Sequence, residues 1–104
     1  MSYILVVVYP AGAKFDMDYY LKSHMKLVGD IWKPHGLKGW KIADYRDSTD
    51  SPYSVQAWLE WESKEAKEKA VALPEAAQIF ADIPKFTDSQ PALASGGLVG
   101  SESF

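Results

Sequence analysis

The chain contains no cysteine, which excludes a disulfide framework, a thiolate nucleophile and a cysteine-ligated metal centre. Histidine is nearly as scarce. There are two, His24 and His35, at a separation that matches no recognised metal motif. Lysines and arginines are scattered and the net charge is -3, so no basic patch exists for a nucleic acid. The apolar run in MSYILVVVYP has no basic segment ahead of it and stops at Pro10. It is too short for a secretion signal or a membrane span, and the expectation is a cytoplasmic protein without a membrane partner. Neither GxGxxG nor a Walker sequence occurs, so no nucleotide cofactor is indicated. Repeats and linkers are also missing, and the length suits a single domain over residues 1–104.

What the chain has in plenty is apolar surface. It is 47% hydrophobic and 13% aromatic, with four Trp and six Tyr, more than one small core readily hides. A surplus of that kind goes to an oligomer interface or to a ligand cavity.

The pattern along the chain predicts β-α-β-β-α-β. Tyr3 to Tyr9 is continuously apolar and β-branched, a strand buried on both faces. Asp16 is placed to cap a helix, with Asp18 adding negative charge to its first turn. Tyr20, His24, Leu27 or Val28, and Ile31 mark the inward face of that helix, and Pro34 and Gly36 end it. Leu37 to Arg46 and Tyr53 to Trp61 flank a polar turn and predict an antiparallel hairpin. In the second of these strands Tyr53, Val55, Ala57, Leu59 and Trp61 share one face. Ser63 caps a second helix to about Ala72, Pro74 opens a short one through Ala81, and Asp82 to Asp88 reads as a loop. A last strand falls within Ala92 to Val99.

This order gives an α+β, ferredoxin-like fold: a four-stranded antiparallel sheet with helices on one face. The first strand has no polar side and the third carries Trp58 among its polar residues, so the open face needs a cover. A second copy packing sheet against sheet predicts a homodimer. Trp40 and Trp58, on adjacent strands, are candidates to meet across it.

His24 is the first candidate for chemistry. An imidazole titrates near neutrality and moves protons in either direction. Tyr20, one turn earlier, is placed to orient it or to donate to a developing oxyanion. The plainer reading is a buried histidine satisfied by a carbonyl or a hydroxyl. Tyr19 lies about a hundred degrees around the helix from Tyr20 and reads as an edge residue. His35 reads as a solvated turn histidine at a helix C-terminus. Asp82, ahead of Ile83-Pro84, reads as a cap for its own turn, with an acid at a pocket mouth as the alternative.

The chain resembles the EthD family, named for ethyl tert-butyl ether degradation. The resemblance runs from about Tyr3 to Val99. It rests on Val8-Tyr9-Pro10, on Phe15-Asp16 followed by Tyr19-Tyr20 and His24-Met25, on Gly36-Leu37, and on Asp82-Ile83-Pro84-Lys85-Phe86-Thr87-Asp88 before Pro91. Lys26 stands where the family often has proline, which implies a less kinked helix here. The resemblance implies a dimeric α+β barrel with an apolar cavity between sheet and helices. It implies catalytic roles for His24 and Tyr20, and contact between an apolar or aromatic small molecule and Tyr19, Phe15 and Phe86. The shared helical face of Tyr20 and His24 together with this motif gives the expected activity, proton transfer or cofactor-free oxidation in ether or aromatic-compound catabolism. The alternatives are a non-catalytic accessory or carrier protein of an oxygenase system and, as in distant relatives, a haem-binding protein.

Overall fold

A computed structural model describes residues 2–104 of the chain. Four strands, β1 (Tyr3–Pro10), β2 (Leu37–Asp44), β3 (Tyr53–Trp61) and β4 (Ala92–Gly97), form one antiparallel sheet in the order β2-β3-β1-β4. The two central strands are not neighbours in sequence, which is the ferredoxin-like arrangement. Helices cover one face only. On that face Leu5, Tyr9, Val55, Ala57, Leu59 and Trp61 are buried, while Ile4, Val6, Val8 and Trp58, which alternate with them, are half-buried on the open face. No described helix is long and apolar enough to cross a membrane.

The first helical segment is interrupted. Helix α1 (Met17–Tyr19) leads into a π-helical turn, Tyr20–His24, and then into α2 (Met25–Trp32). Asp16 caps the start, its carboxylate accepting from the Tyr19 N–H at 3.1 Å. The π turn is closed by the Met25 N–H donating to the Tyr20 carbonyl, one residue beyond the α-helical partner. The extra residue rotates the apolar face that helical spacing predicts. Tyr20, His24, Met25, Val28 and Trp32 are buried, and Leu27 and Ile31 are only half-buried.

The exit from this helix is fixed by Gly36. It has φ 107°, and a Cβ there would stand 2.9 Å from the Cβ of Ala66. Both facts require glycine and let α3 (Lys64–Val71) pack close to the turn. Ser63 caps α3, accepting from the Ala66 N–H at 3.0 Å. Trp32 donates its indole N–H to the Ala70 carbonyl at 3.1 Å, tying α2 to α3. Helix α4 (Ala76–Asp82) continues into a 3-10 turn, Ile83–Lys85, where the sequence predicts only loop.

The expectation for the two tryptophans is corrected by the register. Trp40 pairs with Leu59 and Trp58 with Lys41, so the indoles lie on opposite faces of the sheet. The cause is a bulge between Leu37 and Gly39. Lys38 drops out of the pairing, and Leu37 and Trp40 fall on the same face although they are three positions apart.

Candidate functional site

Between the sheet and the helices lies a cavity of about 530 Å³. Its sheet wall includes Leu5, Val7, Tyr9, Ala57 and Leu59, and its helix wall includes Tyr20, His24, Met25, Val28 and Trp32. A space of this size and apolar character falls within the range of small-molecule sites.

His24 sits in this wall and is 5% exposed. Its Nδ1 lies 2.9 Å from Oδ2 of Asp82. The other carboxylate oxygen, Oδ1, accepts from the Tyr19 hydroxyl at 2.7 Å and lies 3.7 Å from Nζ of Lys85. Asp82 is therefore not the cap of its own turn, as the sequence reading had it. It is a buried carboxylate, 7% exposed, that joins the first helical segment to the end of α4. Burial pushes its pKa up, but the hydrogen bonds from Tyr19 and His24 outweigh that, and the net shift is downward. An ionised carboxylate only accepts, so Nδ1 of His24 carries the proton and Nε2 of the neutral ring holds a lone pair.

The remaining surroundings of the ring leave one edge open. Tyr20 stacks on the imidazole with ring centroids 5.4 Å apart and planes 13° from parallel, and Phe86 lies against it at 4.6 Å. The Nδ1 edge is bonded, and Nε2 has no hydrogen-bond partner among the described residues yet is not among their fully buried unpaired polar atoms, so it is the ring nitrogen left to the cavity. Burial lowers the pKa of His24, opposed by the hydrogen bond and charge of Asp82, and the net shift is downward. Near neutral pH the ring is a base.

Tyr20 and His24 thus share the cavity wall, and Tyr20 stacks on the imidazole. Among the described residues no hydrogen bond joins them, and Asp82 is the orienting partner. Burial raises the pKa of the Tyr20 hydroxyl, with the nearby Tyr9 adding to it, so it remains a neutral donor. Tyr19 stands at the helix edge, and Asp82 raises its pKa through their hydrogen bond. Phe15 and Phe86 pack behind the wall. Their rings meet each other at 5.2 Å, and Phe15 meets Tyr20 at 4.8 Å. Tyr19, Phe15 and Phe86 are therefore supports of the wall residues in this geometry. His35 is exposed on its turn.

Two motif blocks far apart in sequence are joined here. The Asp16 N–H donates to the Phe86 carbonyl at 2.8 Å, and the Thr87 hydroxyl donates to the Lys14 carbonyl at 2.6 Å. This clamp sets the start of the helix that carries Tyr19, Tyr20 and His24 against the segment that begins with Asp82. Tyr9, 1% exposed and on the cavity wall, was legible only as a strand residue.

The fold is similar to that of an EthD-like protein from Ralstonia eutropha JMP134. The TM-score is 0.83 at 24% identity, over 98% of this chain and 96% of that one. An ethyl tert-butyl ether degradation (EthD) family protein from Bacillus halodurans C-125 gives a TM-score of 0.74 at 20% identity, over 95% of this chain and all of that one. A dimeric ferredoxin-like protein of unknown function from Thermobifida fusca YX gives 0.64 at 10% identity, over 94% and 92% of the two chains. No family model matches the chain, and no curated protein is significantly similar to it. The EthD resemblance read from the sequence is matched at the level of fold.

Proposed function

We propose that this chain binds an apolar or aromatic small molecule in the cavity, with His24 moving a proton at the bound ligand. The observation that carries the reading is the Tyr19–Asp82–His24 chain of hydrogen bonds, which ends in a neutral imidazole edge on an apolar wall. Nε2 takes a proton from an acidic C–H or O–H of the ligand, and Asp82 stabilises the imidazolium that forms. The Tyr20 hydroxyl, neutral and on the same wall, donates to the oxyanion left on the ligand. The name of one similar structure, an ethyl tert-butyl ether degradation family protein, favours a place in ether catabolism, with aromatic-compound catabolism as the alternative. Two copies pair through the open sheet faces. The half-buried Ile4, Val6, Val8 and Trp58 support that pairing, as does the dimeric description of similar folds.

A carrier or oxygenase-accessory role is the second reading, and the mostly apolar wall favours it. Haem fits less well: among the described residues Lys67 is the only lysine or arginine in the lining, too few to hold two propionates.

Solvent-deuterium incorporation next to the carbonyl of a bound aromatic ketone such as 2-tetralone separates the readings. We expect the wild-type chain to accelerate it and His24→Ala to reduce the rate by about 100-fold or more, with ketone binding retained. Binding without acceleration leaves the carrier. Unchanged acceleration in His24→Ala removes the histidine from the chemistry.

A further inference from the structure

The cavity wall carries one charged side chain that the proton-transfer reading does not use. Lys67 lies on α3, a helix whose other charged residues, Lys64, Glu65, Glu68 and Lys69, are exposed. Lys64 pairs with Glu68 at 4.0 Å along the helix. Lys67 is different: it is half-buried, lines the cavity, and forms no ion pair among the described residues. Its neighbours one turn on, Ala70 and Val71, face the core, so the lysine stands on the inward side of α3.

Its position relative to His24 is set by the helices. Ala70 accepts from Trp32, which stands eight residues beyond His24, roughly 12 Å along the axis. Gly36, at the end of the same segment, touches Ala66. The lysine and the imidazole therefore occupy opposite ends of the cavity. Phe80 and Leu93 are lining residues that are 44% and 56% exposed, so they mark the mouth, and the exposed Gln90 and Ser95 add polar groups to the lining. Tyr9, Tyr20 and His24 are buried in the lining.

Resting on the small-molecule reading above, we infer that the ligand is an apolar carboxylic acid, its carboxylate held by Lys67 and its apolar body extended toward His24. A lysine that lines an apolar space and has no ion-pair partner among the described residues lacks a counter-charge from them, and a ligand carboxylate supplies one through charge-assisted hydrogen bonds. A single cation suits a monoacid, and the separation of the two ends suits an extended, ring-containing body.

The test compares biphenyl-4-carboxylate with biphenyl-4-carboxamide by calorimetric titration of the full chain. We expect the wild-type chain to bind the acid about tenfold more tightly than the amide. Lys67→Met keeps the apolar stem and is expected to abolish that preference while binding the amide as before. Lys67→Gln provides the same readout should the methionine variant fail to fold. Equal binding of acid and amide by the wild type, or a preference that survives both substitutions, overturns the inference and leaves the cavity reading in place. Failure of both compounds to bind the wild type overturns both.

Discussion

Asp82→Ala is expected to lower the unfolding free energy by about 2–4 kcal/mol, because it strips the acceptor from two donors at once. The His24 Nδ1–H is buried and has no other partner among the described residues, whereas the Tyr19 hydroxyl is only half-buried and partly recovers by hydration. The exposed Lys85 contributes little, since water screens it. In a domain of this length the loss corresponds to a fall in Tm of roughly 10–25 °C, measurable by circular dichroism. Asp82→Asn separates stability from tautomer. Its carboxamide still accepts one hydrogen bond, but its NH2 group then donates to Nδ1 and drives the proton to Nε2, so the edge facing the cavity ceases to be a base. We expect the asparagine variant to lose about 1–2 kcal/mol of stability and to lose proton transfer as completely as His24→Ala. An asparagine variant with wild-type melting and a proton still on Nδ1 would contradict the assignment.

The second large effect concerns the open sheet face. Val6 pairs with Trp58 on one side and Ala94 on the other, near the centre of the uncovered apolar surface. Val6→Lys places an ammonium there in both copies of the proposed dimer. At about 3 kcal/mol for each buried, unpaired charge, the dimer weakens by about 6 kcal/mol, roughly ten-thousand-fold in Kd. Sedimentation at micromolar concentration should show twice the 11.6 kDa chain for the wild type and a single chain for the variant. A wild-type chain that sediments as a monomer removes the dimer. A Val6→Lys chain that stays dimeric moves the interface elsewhere.

Much of the fold was legible because its signals are local. The caps at Asp16 and Ser63 form as their spacing predicts, and the alternation of Val55, Ala57, Leu59 and Trp61 identified the buried face of β3, whereas Tyr53, counted with them, is exposed and Ser54 is buried. Phase was lost where the backbone inserts a residue. The π turn at Tyr20–His24 rotates the helix face, and the bulge after Leu37 reverses Trp40 relative to Trp58. Neither irregularity leaves a periodic trace in residue types. At the site, the spacing of Tyr20 and His24 put them on one helical face, and both line the cavity. Asp82 escaped because it lies 58 positions from His24, and a carboxylate ahead of Ile-Pro is explained just as well as a turn former. Lys67 escaped because nothing in a run of alternating lysines and glutamates says which of them faces inward.

The pH response of His24 follows from the same geometry. Its pKa in the folded chain lies below the ordinary value of 6.5, so the unfolded chain takes up the proton first as pH falls below that value. The stability associated with the neutral ring is complete above this window and is lost as pH falls through it. Asp82, whose pKa is also depressed, adds a further loss below 3.8.

The 15N imidazole spectrum of His24, recorded across pH with and without biphenyl-4-carboxamide, tests the central claim most directly. The account predicts a neutral ring protonated on Nδ1, a titration midpoint below 6.5, and an Nε2 resonance that moves when the ligand is added. A ring protonated on Nε2, with a midpoint at or above 6.5 and no response to bound ligand, would contradict it.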